Sequence, residues 1–226
     1  ASEVGIDVSV SDDGLTVTWP RDMGVGVTGA AMTADGSTSS GKWYFEARIS
    51  GKCAMVGVAN QAFRPHDRAG GANSWMWSDA GSGGVMFHES GTFFGPQISM
   101  GSTIGVAFDS ATGQIWFSKD GSDQWMTRTS LFTSSPQEEA AIASGYAQLR
   151  PVIGVAADCT SPVPVSISAR FRAVDFQYMP PVGFTSMVQD DCACTEALSL
   201  CLEESNCMTH EMRETLYRQC EDDGCS

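Results

Sequence analysis

Apolar and polar residues alternate along this chain in short runs, each closed by a turn signal. The clearest run is GKWYFEARISG at 41–51, where Trp43, Phe45, Ala47 and Ile49 alternate with Tyr44, Glu46 and Arg48. A period of two predicts a strand with one buried and one wetter face. IDVSVSDDGLTVTW at 6–19 predicts two short strands about a turn at Asp12-Asp13-Gly14, with Val8, Val10, Leu15, Val17 and Trp19 inward. CAMVGVAN at 53–60 follows a short connection at Gly51-Lys52. GGVMFHE at 83–89, GTFFG at 91–95, GSTIGVAFD at 101–109 and QIWFSKDG at 114–121 continue the pattern. RPVIGVAAD at 150–158, VSISARF at 165–171 and AVDFQYMP at 173–180 complete it. Residues 61–80 read as a polar loop holding Trp75 and Trp77. Residues 122–147 form the longest irregular stretch, with a short helix expected around PQEEAAIASG. Many short strands with closely spaced turns predict an all-β, two-sheet antiparallel sandwich.

The period changes after Phe184. TSMVQDD reads as a linker, and beyond it Met208, Met212, Leu216 and Cys220 recur every four residues, one apolar stripe on a helix. Leu198, Cys201 and Leu202 suggest a shorter helix before it. The expected organisation is a sandwich over 1–186 and a small cysteine-rich, acidic helical hairpin over 187–226. A hairpin of that size needs staples or docking to hold a core.

Charge narrows the partners. The formal charge is −14, with ten acidic and two basic residues from Asp190 to Ser226. Such a chain repels phosphate backbones and anionic lipid, so nucleic acid is excluded as an expected partner. A basic protein surface or divalent cations are favoured, or the charge serves solubility alone. No apolar stretch reaches the roughly 20 residues of a membrane helix. The chain opens on Ala1 rather than Met, which suggests a targeting segment already removed.

Six of the eight cysteines, Cys192, Cys194, Cys201, Cys207, Cys220 and Cys225, crowd into the tail. Cys207-x-x-His210 has a usable zinc spacing, but the paired C-x-x-C knuckles of structural zinc are missing. The even count in an acidic, lysine-free tail favours disulfides, with no pairing assigned. Cys53 and Cys159 fall in predicted strands, as a pair or as small buried side chains. The expected compartment is oxidising: secreted, or an organelle lumen such as the ER or thylakoid lumen. No Asn-x-Ser/Thr acceptor accompanies it, so secretion has no second sign.

Catalytic chemistry finds no assembled constellation. Gly36-x-x-x-x-Gly41-Lys42 mimics a phosphate loop, but Trp43 stands where Ser or Thr must hold magnesium, and a strand follows instead of a helix. Ser82 in AGSGG lacks the first glycine of a nucleophile elbow. His66, His88 and His210 have no partners in sequence that form a triad. Asp190-Asp191 and Glu221-Asp222-Asp223 lack the ordered spacing of a calcium loop. The expectation is a non-enzymatic protein with no metal and no cofactor.

In order and spacing, DDGLTVTW, SSGKWYFEARISG, MVGVAN, GSTIGVAFDSATGQIWFSKDG, RPVIGVAA and FQYMPPVGF resemble the SPRY domain over roughly residues 4–184. Gly41, Lys42, Tyr44 and Glu46 match its G-K-x-Y-x-E strand. Gly105, Val106, Asp109, Trp116, Phe117, Lys119 and Gly121 match its later segment. The resemblance implies a bent, concanavalin-like sandwich that recognises proteins through loops at one end, without shared catalytic machinery. The long 122–147 loop and the cysteine-rich tail depart from that pattern.

Arg64, His66, Asp67, Arg68, Trp75, Trp77, Phe93 and Phe94 are therefore the candidate partner-binding residues, because aromatic and arginine side chains make strong anchors. Trp75 and Trp77 have a second reading as a strand start with one ring in the core. The expected function is a protein–protein interaction module. It would serve as a peripheral or accessory subunit of a multiprotein, membrane-associated assembly. A lectin-like sugar binder is the alternative, with Trp75, Trp77, Asn73 and Asp79 as its platform.

Overall fold

The computed structural model describes residues 8–20, 29–31, 41–60, 62–64, 70–71, 73–78, 84–88, 90–110, 112, 114–122, 126–128, 149–156 and 163–188. The chain divides into two units, Ala1–Val188 and Gln189–Ser226. The described residues all belong to the first. Met187 and Val188 belong to the first unit; the rest of the helical hairpin expected over 187–226, and the helix expected around PQEEAAIASG, fall outside the described residues.

Fourteen strands are described: β1 Ser9–Val10, β2 Thr16–Trp19, β3 Gly29–Ala31, β4 Lys42–Ser50, β5 Ala54–Ala59, β6 Ser74–Ser78 and β7 Gly84–His88, then β8 Ser90–Gly95, β9 Thr103–Asp109, β10 Gln114–Lys119, β11 Met126–Arg128, β12 Arg150–Val155, β13 Val165–Arg170 and β14 Thr185–Ser186. One sheet runs β1-β2-β13-β4-β9-β10-β11, with β14 beside β4. The other runs β3-β12-β5-β6-β7-β8. All pairings are antiparallel except that of β14, which lies beside Trp43 and Tyr44 where the β13 pairing has ended. This is the expected two-sheet sandwich.

The core lies between the sheets. Phe45, Ala47 and Ile49 of β4 meet Ile104, Val106 and Phe108 of β9, Ile115 and Phe117 of β10, and Val17 and Trp19 of β2, all fully buried. Trp43, Val8, Val10 and Leu15 pack at its margin. The period-two alternation placed the inward residues of β2, β4 and β9 correctly. Each buried Phe, Ile or Val contributes about 1.5–3 kcal/mol relative to exposure.

Three expectations are corrected. SWMWS is not part of a loop but forms β6, buried on both faces. Trp75 and Trp77 face the inter-sheet core, while Met76 joins Met55, Ala59, Phe63 and Val152 in a second apolar cluster. AVDFQYMP does not form a strand. Ala173–Asp175 make a single 3₁₀ turn and residues 176–184 run on without sheet pairing. Finally, Tyr44 and Glu46, expected on the wetter face of β4, are buried, and only Arg48 of that set is exposed.

Candidate functional site

Two surface regions are built by the fold. The first is the connection from β5 to β6. Its neck is closed by Asn60, whose backbone N–H donates to Asn73 O at 3.0 Å and whose side-chain amide donates to Asn73 Oδ1 at 3.3 Å. Asn60 Oδ1 also accepts the Ala62 N–H at 2.9 Å, an Asx turn that starts the loop. Phe63 is then driven into the second apolar cluster, 0% exposed. Its carbonyl accepts Arg150 Nη2 at 2.7 Å and Arg64 Nη1 at 3.2 Å. On the return side, the Gly70 N–H donates to Ser74 Oγ at 2.9 Å. A buried ring, two arginine contacts and an asparagine pair therefore fix the base of this loop and set Arg64 at the surface.

Of the expected anchors here, Arg64 is exposed. His66, Asp67 and Arg68 lie outside the described residues. Trp75 and Trp77 are 3% and 0% exposed, so they brace the sandwich from inside and do not present faces to a partner. Trp77 instead meets Phe117 edge-on, with centroids 5.7 Å apart. Their burial also removes the aromatic platform that the sugar-binding alternative needs. Phe93 and Phe94 lie on β8, Phe93 in register with Val85. Their side chains are outside the description, as are Cys192, Cys194, Cys201, Cys207, Cys220 and Cys225. Cys53 sits in the β4–β5 connection at φ +66°, not in a strand, and is disulfide-bonded.

The second region was not foreseen. Residues 172–184 form a strap across the outer face of the β4 sheet. Glu46, 0% exposed, holds it: Oε2 accepts the Gln177 N–H at 2.7 Å and Arg170 Nη1 at 3.2 Å, while Oε1 accepts the Tyr178 N–H at 2.8 Å and the Tyr44 hydroxyl at 3.0 Å. A buried carboxylate with four donors is fully satisfied. Burial and the adjacent Glu46 charge push the Tyr44 phenol far above its ordinary 10.0, so it stays a donor. Phe176 stands edge-on to Tyr44 at 4.8 Å, and Phe184 edge-on to Trp116 at 5.4 Å. Tyr178 lies over the hairpin turn at Asp120-Gly121, whose φ values of 52° and 71° make a type I′ turn. A Cβ on Gly121 would come within 2.2 Å of Tyr178 Cδ1. The Pro180-Pro181 pair was the available signal, because adjacent prolines exclude a central strand.

Beneath the strap, Tyr44, Gly105, Ser118, Gly121, Ser122, Tyr178 and Met179 line a cavity of about 40 Å³. That holds a few waters. It is far smaller than the roughly 300 Å³ or more of a small-molecule site. Among the described residues, no three His, Cys, Asp or Glu side chains gather as a metal site, and no helix is long and apolar enough to cross a membrane.

The sequence model of the SPRY domain matches residues 42–163. No curated protein matches the chain. Solved structures with the same fold include the TRIM65 PSpry domain, 17% identical with a TM-score of 0.53, covering 74% of this chain and 88% of that one. A human SPRY domain is 18% identical, with a TM-score of 0.52 over 74% and 97%. The SPRY domain of human HERC1 is 14% identical, with a TM-score of 0.51 over 71% and 91%.

Proposed function

The chain belongs to the SPRY domain family, whose members are generally protein–protein interaction modules, and we propose that this one binds a partner non-catalytically through the loop end carrying Arg64. The observation that carries this reading is the fixed base of the β5–β6 loop. Asn60, Asn73, Phe63 and Arg150 order it before any partner arrives, which lowers the entropy cost of docking. Arginine on such a base is a strong anchor type. We read the chain further as a peripheral or accessory subunit in an oxidising compartment, secreted or lumenal. The disulfide at Cys53 supports that setting.

The test is a pull-down from native source in mild detergent, read by mass spectrometry, comparing wild type with Arg64→Ala at matched melting temperature. A partner enriched on wild type and reduced at least tenfold on the variant is the expected result. An identical partner set on both contradicts it.

A further inference from the structure

Two strand connections meet at one end of the sandwich. The β4–β5 turn is Gly51-Lys52-Cys53, with Gly51 at φ +132° and Cys53 at φ +66°. Left-handed backbone ordinarily takes glycine or asparagine, and Cys53 is one of two non-glycine residues with positive φ among the described residues. It is half-buried and disulfide-bonded, and its carbonyl accepts the Ala156 N–H at 2.9 Å. That contact continues the β5–β12 ladder by one pair, since Ala54 lies opposite Val155. On the other side of the turn, Ser50 lies opposite Ser166 in the β4–β13 ladder, and a Cβ on Gly51 would come within 2.9 Å of Val165 Cα.

The chain therefore leaves this turn at Ala156, beside Cys53, and returns to it at Val165, beside Gly51. Eight residues, 157–164, join these points, and Cys159 is the one cysteine among them, three residues past Ala156. Opposed residues of an antiparallel pair have Cα atoms about 4.5–5.5 Å apart, and three residues of chain reach about 10 Å. A disulfide needs Cα atoms about 4.4–6.8 Å apart. A connection that must turn back to Val165 can meet that distance with no movement of either ladder. The other six cysteines lie in the second unit. A bond from Cys53 into that set would leave Cys159 with five of them, and all eight could then pair only through a second bond between the units.

We propose that Cys159 is the partner of Cys53. The bond forms from the two thiols, which lose two protons and pass two electrons to a disulfide oxidant by thiol–disulfide exchange. It ties the β4–β5 turn to the β12–β13 connection. Both connections cross between the sheets, so the bond staples β4 and β13 of one sheet to β5 and β12 of the other. β5 runs from this turn to Asn60, which puts the staple at the far end of that strand from the Arg64 loop, about 20 Å away. On the binding-module reading, on which this consequence rests, reduction loosens one end of the sandwich and leaves the docking end closed by Asn60 and Asn73.

The test is peptide mapping of the full chain from native source, blocked with N-ethylmaleimide and digested with trypsin without reductant. Cleavage after Lys52 and Arg68 releases Cys53 alone, and cleavage after Arg128 and Arg170 releases Cys159 alone, because Arg64 and Arg150 precede proline and resist the enzyme. The expected result is one species joining 53–68 to 129–170, which separates into those two on reduction. Cys53 joined to 173–213 or 219–226, which carry the tail cysteines, overturns the proposal, as does Cys159 recovered with N-ethylmaleimide on it. Cys53→Ser, Cys159→Ser and the double variant should all melt at the same temperature, about 5 °C or more below wild type. A double variant that melts well below both single variants contradicts a shared bond. Partner enrichment should be equal on the double variant and wild type, and its loss there would overturn the separation of staple from loop. No partner enriched on wild type would sink the binding-module reading and leave the pairing standing, since the mapping does not use it.

Discussion

Glu46 accepts the backbone N–H of Gln177 at 2.7 Å, across 131 residues of chain. A carboxylate in the middle of β4 thereby takes up a donor that a strand would have spent on a neighbour. This contact, with its companion at Tyr178, is why residues 176–178 lie over the sheet instead of joining it.

Removing that acceptor should be severe. Glu46→Ala leaves the Gln177 and Tyr178 amides and the Arg170 guanidinium without their buried partner, a loss of about 3–5 kcal/mol. Urea unfolding measures the stability, and hydrogen exchange should show the 177 and 178 amides opening first. A loss below about 1 kcal/mol would mean that the strap is held by its aromatics alone.

Gly121 and Tyr178 should be coupled. An alanine at 121 meets the Tyr178 ring and strains a left-handed turn position, which costs about 1–2 kcal/mol before any clash. Gly121→Ala combined with Tyr178→Ala should lose less than the sum of the single changes, by about 1 kcal/mol in a double-mutant cycle. Additive losses would place the ring elsewhere.

Tyr44 makes alkaline stability diagnostic. Its phenol is held protonated in the folded state, while in the unfolded chain it ionises near 10.0. The stabilisation is therefore complete below pH 10 and drains away as pH rises further. Wild type should lose stability faster than Tyr44→Phe between pH 10 and 12, measured by urea unfolding at each pH. Parallel profiles would contradict burial of the hydroxyl beside Glu46.

The Cys53 disulfide predicts a chemical result. Denaturation and alkylation without reductant should leave the Cys53 peptide unlabelled, and reduction should cost about 2–4 kcal/mol of stability. A labelled Cys53 in protein from native source would remove the support for an oxidising compartment.

The inter-sheet core was legible because alternation reports a face directly: Phe45, Ile49, Val106 and Phe108 sit where a period of two puts them. What alternation does not report is a cover arriving from far along the chain. Tyr44 and Glu46 looked wet because they alternate with the apolar set and share their face of β4 with Lys42 and Arg48, and they are dry because residues 176–178 lie over them. For Trp75 and Trp77 the strand reading is the observed one, with both rings in the core, and the loop reading failed for a related reason. Their strand is buried on both faces and flanked by Ser74 and Ser78, so its ends look like a loop while its rings fill the core. The outward strap residues, Val174, Met179 and Val182, give no periodic signal at all.

Hydrogen–deuterium exchange of the chain alone and with its native partner bound tests the binding account most directly. Slowed exchange across residues 60–73, with β4 and β9 equally protected in both states, is the predicted outcome. Unchanged exchange in that loop, with protection gained only inside the sheets, would contradict a rigid sandwich that meets its partner through the Arg64 end.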